Sequence, residues 1–194
     1  MSLKEQTYSV LVVSASEKFN QALPEVLPVS TFFPISGVSD VSAAKRAVSE
    51  RSFDFIIINS PLPDDNGVRF AIDTVSYYNT VVLFLSKAEQ YSDAYDKLAE
   101  HGVFLLQKPL SKSVFQIASG WLVSARERIR KTEKKTLSIE EKMNEIRVVN
   151  RAKWLLISEV KMTEPDAHRY IEKQAMDRCV PRRQVAEEIV KTYG

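Results

Sequence analysis

The sequence has few of the residues that support redox, metal or disulfide chemistry. It contains one cysteine, Cys179, and two histidines in 194 residues. A single thiol cannot form an internal disulfide, and together with two imidazoles it supplies too few strong ligands for a structural zinc site. We therefore expect no metal and no cofactor. The sparse cysteine content is typical of a reducing, cytoplasmic compartment.

Glycine and long apolar runs are also scarce. Only 5 glycines are present, which argues against a glycine-rich nucleotide loop and against an all-β fold with many tight turns. No apolar run approaches the roughly 18 residues of a membrane helix, and the first residues lack the pattern of a signal peptide. We therefore expect no membrane association. Hydrophobic residues make up 44% of the chain, which is enough to build a core.

Charge is distributed unevenly along the chain. Residues 1–120 carry a net charge of −3, residues 121–137 carry +4, and residues 138–194 carry +1. An acidic front half and a basic rear half suggest different partners for the two halves. The alternative is that the cations of residues 121–137 form only a solvated helix face.

Residues 1–120 alternate between strand-like and helix-like patterns. Apolar runs typical of buried strands lie at residues 8–13, 53–58, 80–85 and 103–106. Amphipathic patterns separate them at residues 16–27, 39–51, 68–77 and 89–100. Continuous apolar strands separated by helices indicate a parallel sheet that is covered on both faces. We predict an α/β fold, a flavodoxin-like doubly wound parallel five-stranded sheet, with functional residues at the carboxyl ends of the strands.

The residues at those ends resemble the receiver domain of bacterial response regulators. Pro63 and Asn66-Gly67 match the loop after the third strand, Ser86 follows the fourth strand, and Lys108-Pro109 follows the fifth. In receivers, the resemblance implies transfer of a phosphoryl group to an aspartate that ends the third strand, with help from Mg²⁺.

The acidic residues required by this chemistry are missing. The phosphoacceptor position holds Asn59, and the metal-binding positions after the first strand hold Ser14 and Ala15. A neutral amide is a poor phosphoryl acceptor, and uncharged ligands compensate poorly for the dehydration of Mg²⁺. Ser86 and Lys108 alone remain of the functional set. We expect residues 1–120 to be a degenerate pseudo-receiver without enzymatic activity.

Three nearby polar residues have structural interpretations. Without carboxylate partners, Lys108 is expected to bond to the amide of Asn59 and stiffen the loop. Asp64 lies five residues and Asp65 six residues beyond Asn59. We interpret both as turn or helix-cap residues and not as substitute nucleophiles.

A long helix is predicted from about residue 111, followed by a coiled-coil linker over residues 121–145. Apolar residues recur in a heptad pattern that begins at Leu122, which predicts a parallel dimer. The predicted interface residues are Leu122, Ile129, Ile139, Met143, Ile146 and Asn150. The alternative is a single helix that packs on its own domain.

Residues 146–194 are predicted to form a bundle of three helices. Residues 137–192 resemble the ANTAR module, an RNA-binding antitermination domain found behind receivers. The matching residues are Ala152-Lys153, Leu155, Leu156, Glu164, Ala167, Ala175-Met176, Val185-Ala186 and Ile189. The resemblance implies binding to a tandem of small hairpins in a nascent leader transcript.

Binding to structured RNA requires cations on one face and planar groups that stack on bases. The candidate cations are Arg147, Arg151, Lys153, Arg169, Lys173, Arg178, Arg182 and Arg183. Trp154 and Tyr170 are candidates for base stacking, although both fall beside the apolar stripes and packing in the core is favoured for them. Acidic residues nearly cancel the charge of this region, so a basic face would have to be local.

We therefore predict a homodimeric antitermination regulator that binds paired RNA hairpins and carries a non-phosphorylatable receiver-like domain. A partner protein that senses a small ligand could control it through that domain, or the domain could be a constitutive dimer scaffold. Two alternatives remain open at this stage. The chain could be a protein-interaction scaffold, or it could bind DNA through a helix-turn-helix formed by residues 163–175 and 181–191.

Overall fold

A computed structural model describes residues 6–194, and the chain divides into two compact units. The amino-terminal unit ends at Arg130, and the carboxyl-terminal unit is Lys131–Gly194. This division falls inside the predicted linker segment. Each unit is described by itself below.

The amino-terminal unit alternates strands and helices along the chain. Its strands are β1 (Tyr8–Val13), β2 (Phe32–Val38), β3 (Phe55–Asn59), β4 (Val81–Lys87) and β5 (Phe104–Lys108). Its helices are α1 (Glu17–Val26), α2 (Val41–Glu50), α3 (Val68–Tyr77), α4 (Tyr91–Leu98) and the beginning of α5 (Lys112–Ser158). Short 3₁₀ turns at Ala88–Gln90 and Ala99–His101 flank α4.

All five strands are parallel and lie in the order β2-β1-β3-β4-β5. This arrangement confirms the predicted α/β fold. Neighbouring residues of β3 point to opposite faces, as the period of a strand requires. Ile56 and Ile58 pack with α2, α3 and α4, whereas Phe55 and Ile57 pack with α1 and the start of α5. The sheet is therefore buried on both sides.

The strand β2 was not located by the sequence pattern. It contains Pro34 and Gly37 and has a mixed pattern of burial. It pairs only with β1 and forms one edge of the sheet. Proline and glycine are tolerated at an edge, where fewer ladder hydrogen bonds are required.

The start of α5 belongs to the core of the amino-terminal unit. Phe115 and Leu122 are buried against the sheet, and Ile129 packs partly against the same cluster. Leu122 is 2% exposed. The prediction that Leu122 lies in a dimer interface is therefore wrong, and Ile129 is only partly accessible. The heptad spacing here comes from a helix packed on its own sheet, which was the alternative interpretation.

The carboxyl-terminal unit is a bundle of three helices, formed by the end of α5, by α6 (Glu164–Asp177) and by α7 (Arg182–Tyr193). Thr163 caps α6 by accepting a hydrogen bond from the backbone N–H of Asp166. The core is made of small and branched side chains: Ala152, Leu156, Ala167, Ile171, Ala175, Val185, Ala186 and Ile189. Among residues 6–194, no helix combines the length and the apolar character that a membrane crossing needs.

Candidate functional site

The carboxyl ends of β1, β3 and β5 bring three of the predicted site residues into one hydrogen-bond network. Asn59 is buried, and its Nδ2 donates to Ser14 Oγ at 3.0 Å. The Nζ of Lys108 donates to Asn59 Oδ1 at 2.7 Å and also to the carbonyl oxygen of Ser60. The predicted bond between Lys108 and Asn59 is confirmed. The network satisfies the buried amide without any acidic group.

The other two residues of the degenerate site do not join this network. Ala15 is exposed, and the buried Ser86 donates its hydroxyl to the carbonyl oxygen of Lys87 at 3.1 Å. Burial lowers the pKa of Lys108, and the nearby charge of Lys87 lowers it further. Within the described part of the chain, no group of three or more His, Cys, Asp or Glu side chains could hold a metal ion.

The two acidic residues of the loop after β3 have structural roles. Asp64 accepts hydrogen bonds from the backbone N–H groups of Val41 and Ser42, both at 2.9 Å, at the start of α2. The bond from Val41 lowers the pKa of Asp64. Asp65 accepts from the N–H of Gly67 at 2.7 Å and so stabilises the turn before α3. The interpretation of both residues as cap and turn residues is confirmed.

In the carboxyl-terminal unit, four of the eight predicted RNA-binding cations are engaged in ion pairs. The pairs are Lys153–Glu164 (2.9 Å), Arg178–Glu188 (2.6 Å), Arg183–Glu187 (2.7 Å), and Arg182 with both Glu145 and Glu172 (3.6 Å each). Hydrogen bonds to the glutamates raise the pKa of Arg178 and of Arg183. Arg182 connects all three helices of the bundle. In these contacts, glutamates offset the charge of four of the eight cations.

The other four cations are exposed. Arg147 and Arg151 lie four residues apart on α5, and Arg169 and Lys173 lie four apart on α6. None of these four has a carboxylate partner within 4.0 Å among residues 6–194. Residues four apart on a helix share one face. Of the eight predicted cations, two on α5 and two on α6 are therefore without an ion pair among the described residues.

The aromatic candidates are not core residues. Trp154 is 65% exposed and Tyr170 is 40% exposed, whereas the neighbouring Leu155 and Leu156 fill the core. The favoured interpretation of both aromatics as core residues is wrong. Trp154 lies three residues beyond Arg151 and seven beyond Arg147, a spacing that places the three on one side of α5. That spacing was the available signal for grouping Trp154 with the cations.

The later part of the predicted dimer seam is exposed. Ile139, Met143 and Ile146 are between 48% and 59% exposed, and Asn150 is also exposed. We refer to Ile139, Met143, Ile146 and Asn150 as the α5 stripe. Their spacing places them along one side of the helix. The carboxyl-terminal unit by itself leaves this apolar stripe uncovered.

Comparison with known protein families identifies the carboxyl-terminal unit. The family model of the ANTAR domain matches residues 138–190. The chain is also 27% identical over 186 residues to the transcriptional regulatory protein PdtaR from two strains of Mycobacterium tuberculosis. This match covers 95% of the present chain and 90% of the relative.

Solved structures similar to this chain include receiver domains. The signal receiver domain of an HD domain-containing protein from Pseudomonas fluorescens Pf-5 is 18% identical with a TM-score of 0.58, and covers 68% of this chain and 96% of its own. A response regulator receiver domain protein from Clostridium thermocellum is also 18% identical, with a TM-score of 0.55. It covers 64% of this chain and 98% of its own. The amino-terminal unit therefore has the fold of a receiver.

Proposed function

We propose that this protein, which carries an ANTAR domain behind a receiver fold, is a dimeric transcription antitermination regulator that binds paired hairpins in leader RNA. The observation that carries this proposal is the set of unpaired cations beside exposed aromatic side chains on the ANTAR domain. Phosphates attract the cations, and unstacked loop bases stack on planar side chains. The proposed contacts are Arg147, Arg151, Arg169 and Lys173, with Trp154 and Tyr170.

The four ion-paired cations have a smaller part in this proposal. Arg178, Arg182 and Arg183 each contact a glutamate, so an RNA phosphate would have to compete with a carboxylate for them. Arg182 links α7 to α5 and α6, Arg178 links the end of α6 to α7, and the pair of Arg183 lies within α7. The cations without ion pairs carry most of the attraction to RNA.

Dimerisation would occur through the α5 stripe. The side chains of Ile139, Met143 and Ile146 are exposed at spacings of four and three residues, which suits knobs-into-holes packing against a second copy. Asn150 would then favour a parallel pair in a single register. Two ANTAR domains joined in this way would raise the effective concentration for two linked hairpins.

The regulatory step requires no covalent chemistry. A dimer that holds two hairpins would prevent those nucleotides from forming a competing terminator hairpin, and the polymerase would continue. The amino-terminal unit would take no phosphoryl group, since Asn59 replaces the acceptor and Ser14 and Ala15 are uncharged. Control would then come from a ligand or from a ligand-sensing partner protein.

Titration of the full chain with a structured RNA tests the proposed contacts. Arg151→Ala and Lys173→Ala are each expected to weaken binding and to reduce the slope of log affinity against log salt by about one. Arg183→Ala is the matched control, because Glu187 already neutralises part of its charge, and its effect should be smaller. Trp154→Ala should weaken binding with no change of slope.

Two results would contradict this function. The absence of any RNA complex at low salt would favour a scaffold that binds only proteins. Equal competition by duplex DNA of the same length would favour a DNA-binding regulator.

A further inference from the structure

A cavity of about 580 Å³ opens at the carboxyl ends of the strands in the amino-terminal unit. Its volume lies in the range of roughly 300–1,000 Å³ that small-molecule sites occupy. Phe19 and Leu23 from α1, Leu85 from β4 and Phe115 from α5 give it apolar walls. The cavity is therefore large enough and apolar enough for a ring-sized organic group.

The ionisable residues that line the cavity are all lysines: Lys18, Lys87, Lys108 and Lys112. Lys112 forms an ion pair with Glu25, which lies outside the lining. Within residues 6–194, no carboxylate forms an ion pair with the other three lysines. Positive charge in a concave site with apolar walls attracts anions.

Lys108 reaches the cavity from the network that replaced the phosphoacceptor site. It is half-buried, and its ammonium group donates to Asn59 Oδ1 and to the carbonyl oxygen of Ser60. An ammonium group has three donors, so one remains for a further acceptor. Burial and Lys87 both lower the pKa of Lys108. A bound anion would act in the opposite sense and stabilise its charged form.

We infer that this cavity binds a small organic anion, in which a carboxylate, sulfonate or phosphate group meets Lys108 and an apolar ring or branched chain fills the space between α1 and α5. The anionic group supplies the negative charge that the lining lacks. The apolar body is required because Phe19, Leu23 and Phe115 offer it contact area and no hydrogen bonds. This inference does not depend on RNA binding.

Fluorescence titration of the full chain with two matched probes tests the inference. Anilinonaphthalene sulfonate carries an anion on an aromatic body, and phenylnaphthylamine has the same body without the charge. We expect the sulfonate to saturate one site per chain, with an affinity at least about tenfold higher than that of the neutral probe. Non-saturating binding, or equal affinity for the two probes, would overturn the inference.

Three variants locate the site. Lys108→Met keeps an apolar stem and removes the charge, so it should lower the affinity for the sulfonate about tenfold and leave the neutral probe unchanged. Ala22→Phe, at an exposed position in the lining, should block both probes. Lys45→Met, at an exposed position on α2 outside the lining, is the control and should change neither.

Circular dichroism checks the fold of each variant. If Lys108→Met does not fold, Lys87→Met removes a second lining charge at an exposed position and is expected to lower the affinity for the sulfonate alone. Unchanged sulfonate binding in a folded lysine variant, or in Ala22→Phe, would place the probe elsewhere on the molecule and overturn the inference.

Discussion

At the scale of single residues, the amino-terminal unit has the amide of Asn59 at the position where a receiver has its acceptor carboxylate. Both ends of the Asn59 amide are bonded, the Nδ2 to Ser14 and the Oδ1 to Lys108, and no carboxylate takes part. The loss of the acids was visible in the sequence, because strand ends can be located from apolar runs. The hydrogen-bond partner of Lys108 was predicted correctly for the same reason.

A phosphorylation assay tests whether the loss of the acidic residues has removed phosphoryl transfer. Neither the unmodified chain nor Asn59→Asp is expected to gain a phosphoryl group from acetyl phosphate and Mg²⁺. Asn59→Asp restores an acceptor, but Ser14 and Ala15 still provide no charged oxygen for the metal ion. Intact-protein mass spectrometry gives the result, and Asn59→Asp combined with Ala15→Asp is the comparison variant. Phosphorylation of the unmodified chain would contradict the proposal that the receiver-like domain takes no phosphoryl group.

A second test concerns Tyr8, which connects β1 to α5. Its hydroxyl donates to Glu127 Oε1 at 2.9 Å, and burial together with this bond raises the pKa of Tyr8 from 10.0 to about 12. The folded state keeps the phenol proton of Tyr8 to a higher pH than the unfolded state does. The stabilisation that the protonated Tyr8 provides is therefore complete below pH 10 and is lost as the pH rises toward about 12.

We therefore expect the free energy of unfolding to fall with a slope of up to about 1.4 kcal/mol per pH unit in that interval from this group. Denaturant unfolding between pH 9 and pH 12, compared with Tyr8→Phe, isolates the effect of Tyr8 from that of the other tyrosines. Identical pH profiles for the two proteins would show that Tyr8 ionises at an ordinary pKa.

The apolar pattern of α5 by itself does not predict the exposure of Trp154. Apolar residues occupy position 152 and all four positions from 154 to 157, so the pattern does not define which edge of the helix faces the core. The packing of α6 and α7 decides which edge is buried, since Leu156 lies in the core that they share, whereas Trp154 is exposed.

At the scale of elements, α5 has two environments along its length. Its start packs on the sheet through Phe115 and Leu122, and its later part carries the exposed α5 stripe. The sequence predicted a long helix correctly, but one heptad pattern continued across both parts. A heptad describes which side of a helix is apolar and does not identify what covers that side.

Met143→Glu tests the proposed interface. A charge in the middle of the α5 stripe would have to be buried in the dimer, so we expect the dissociation constant of the dimer to rise by at least roughly a hundredfold. Sedimentation equilibrium measures it. Asn144→Glu, one residue further along and exposed outside the stripe, is the matched control. Equal dissociation constants for both variants would place the dimer interface elsewhere.

Leu122→Ala gives the converse result for the first part of the helix. It should destabilise the amino-terminal unit by about 2–5 kcal/mol, because it removes a buried side chain from the core. The dissociation constant of the dimer should stay unchanged. If Leu122→Ala raised the dissociation constant of the dimer and left the free energy of unfolding unchanged, Leu122 would belong to the dimer interface.

The position of the edge strand β2 was also not predictable from the sequence. The central strands β1, β3 and β4 are continuous apolar runs and were located from the sequence. A strand with Pro34, Gly37 and a partly exposed face has no such run, and its pairing with β1 is a long-range contact. The number of strands was predictable because the fold requires it, while the position of β2 was not.

At the scale of the whole molecule, a receiver fold without its acidic residues precedes an ANTAR domain with unpaired cations. The order of a receiver fold and an ANTAR domain was predicted from the two resemblances. The sequence did not predict which of the eight cations form ion pairs, because pairs such as Arg178–Glu188 depend on tertiary contacts. Recognition of paired RNA elements by a dimer would rest on the carboxyl-terminal unit, which holds both the α5 stripe and the proposed RNA contacts.

The most direct measurement of that claim compares the affinity of the full chain for a two-hairpin RNA with its affinity for each hairpin alone. Fluorescence anisotropy at several salt concentrations gives both the dissociation constants and their salt dependence. The account predicts that the linked pair binds at least about a hundredfold more tightly than either hairpin, with all affinities falling as salt rises. Equal affinity for one and two hairpins would contradict it.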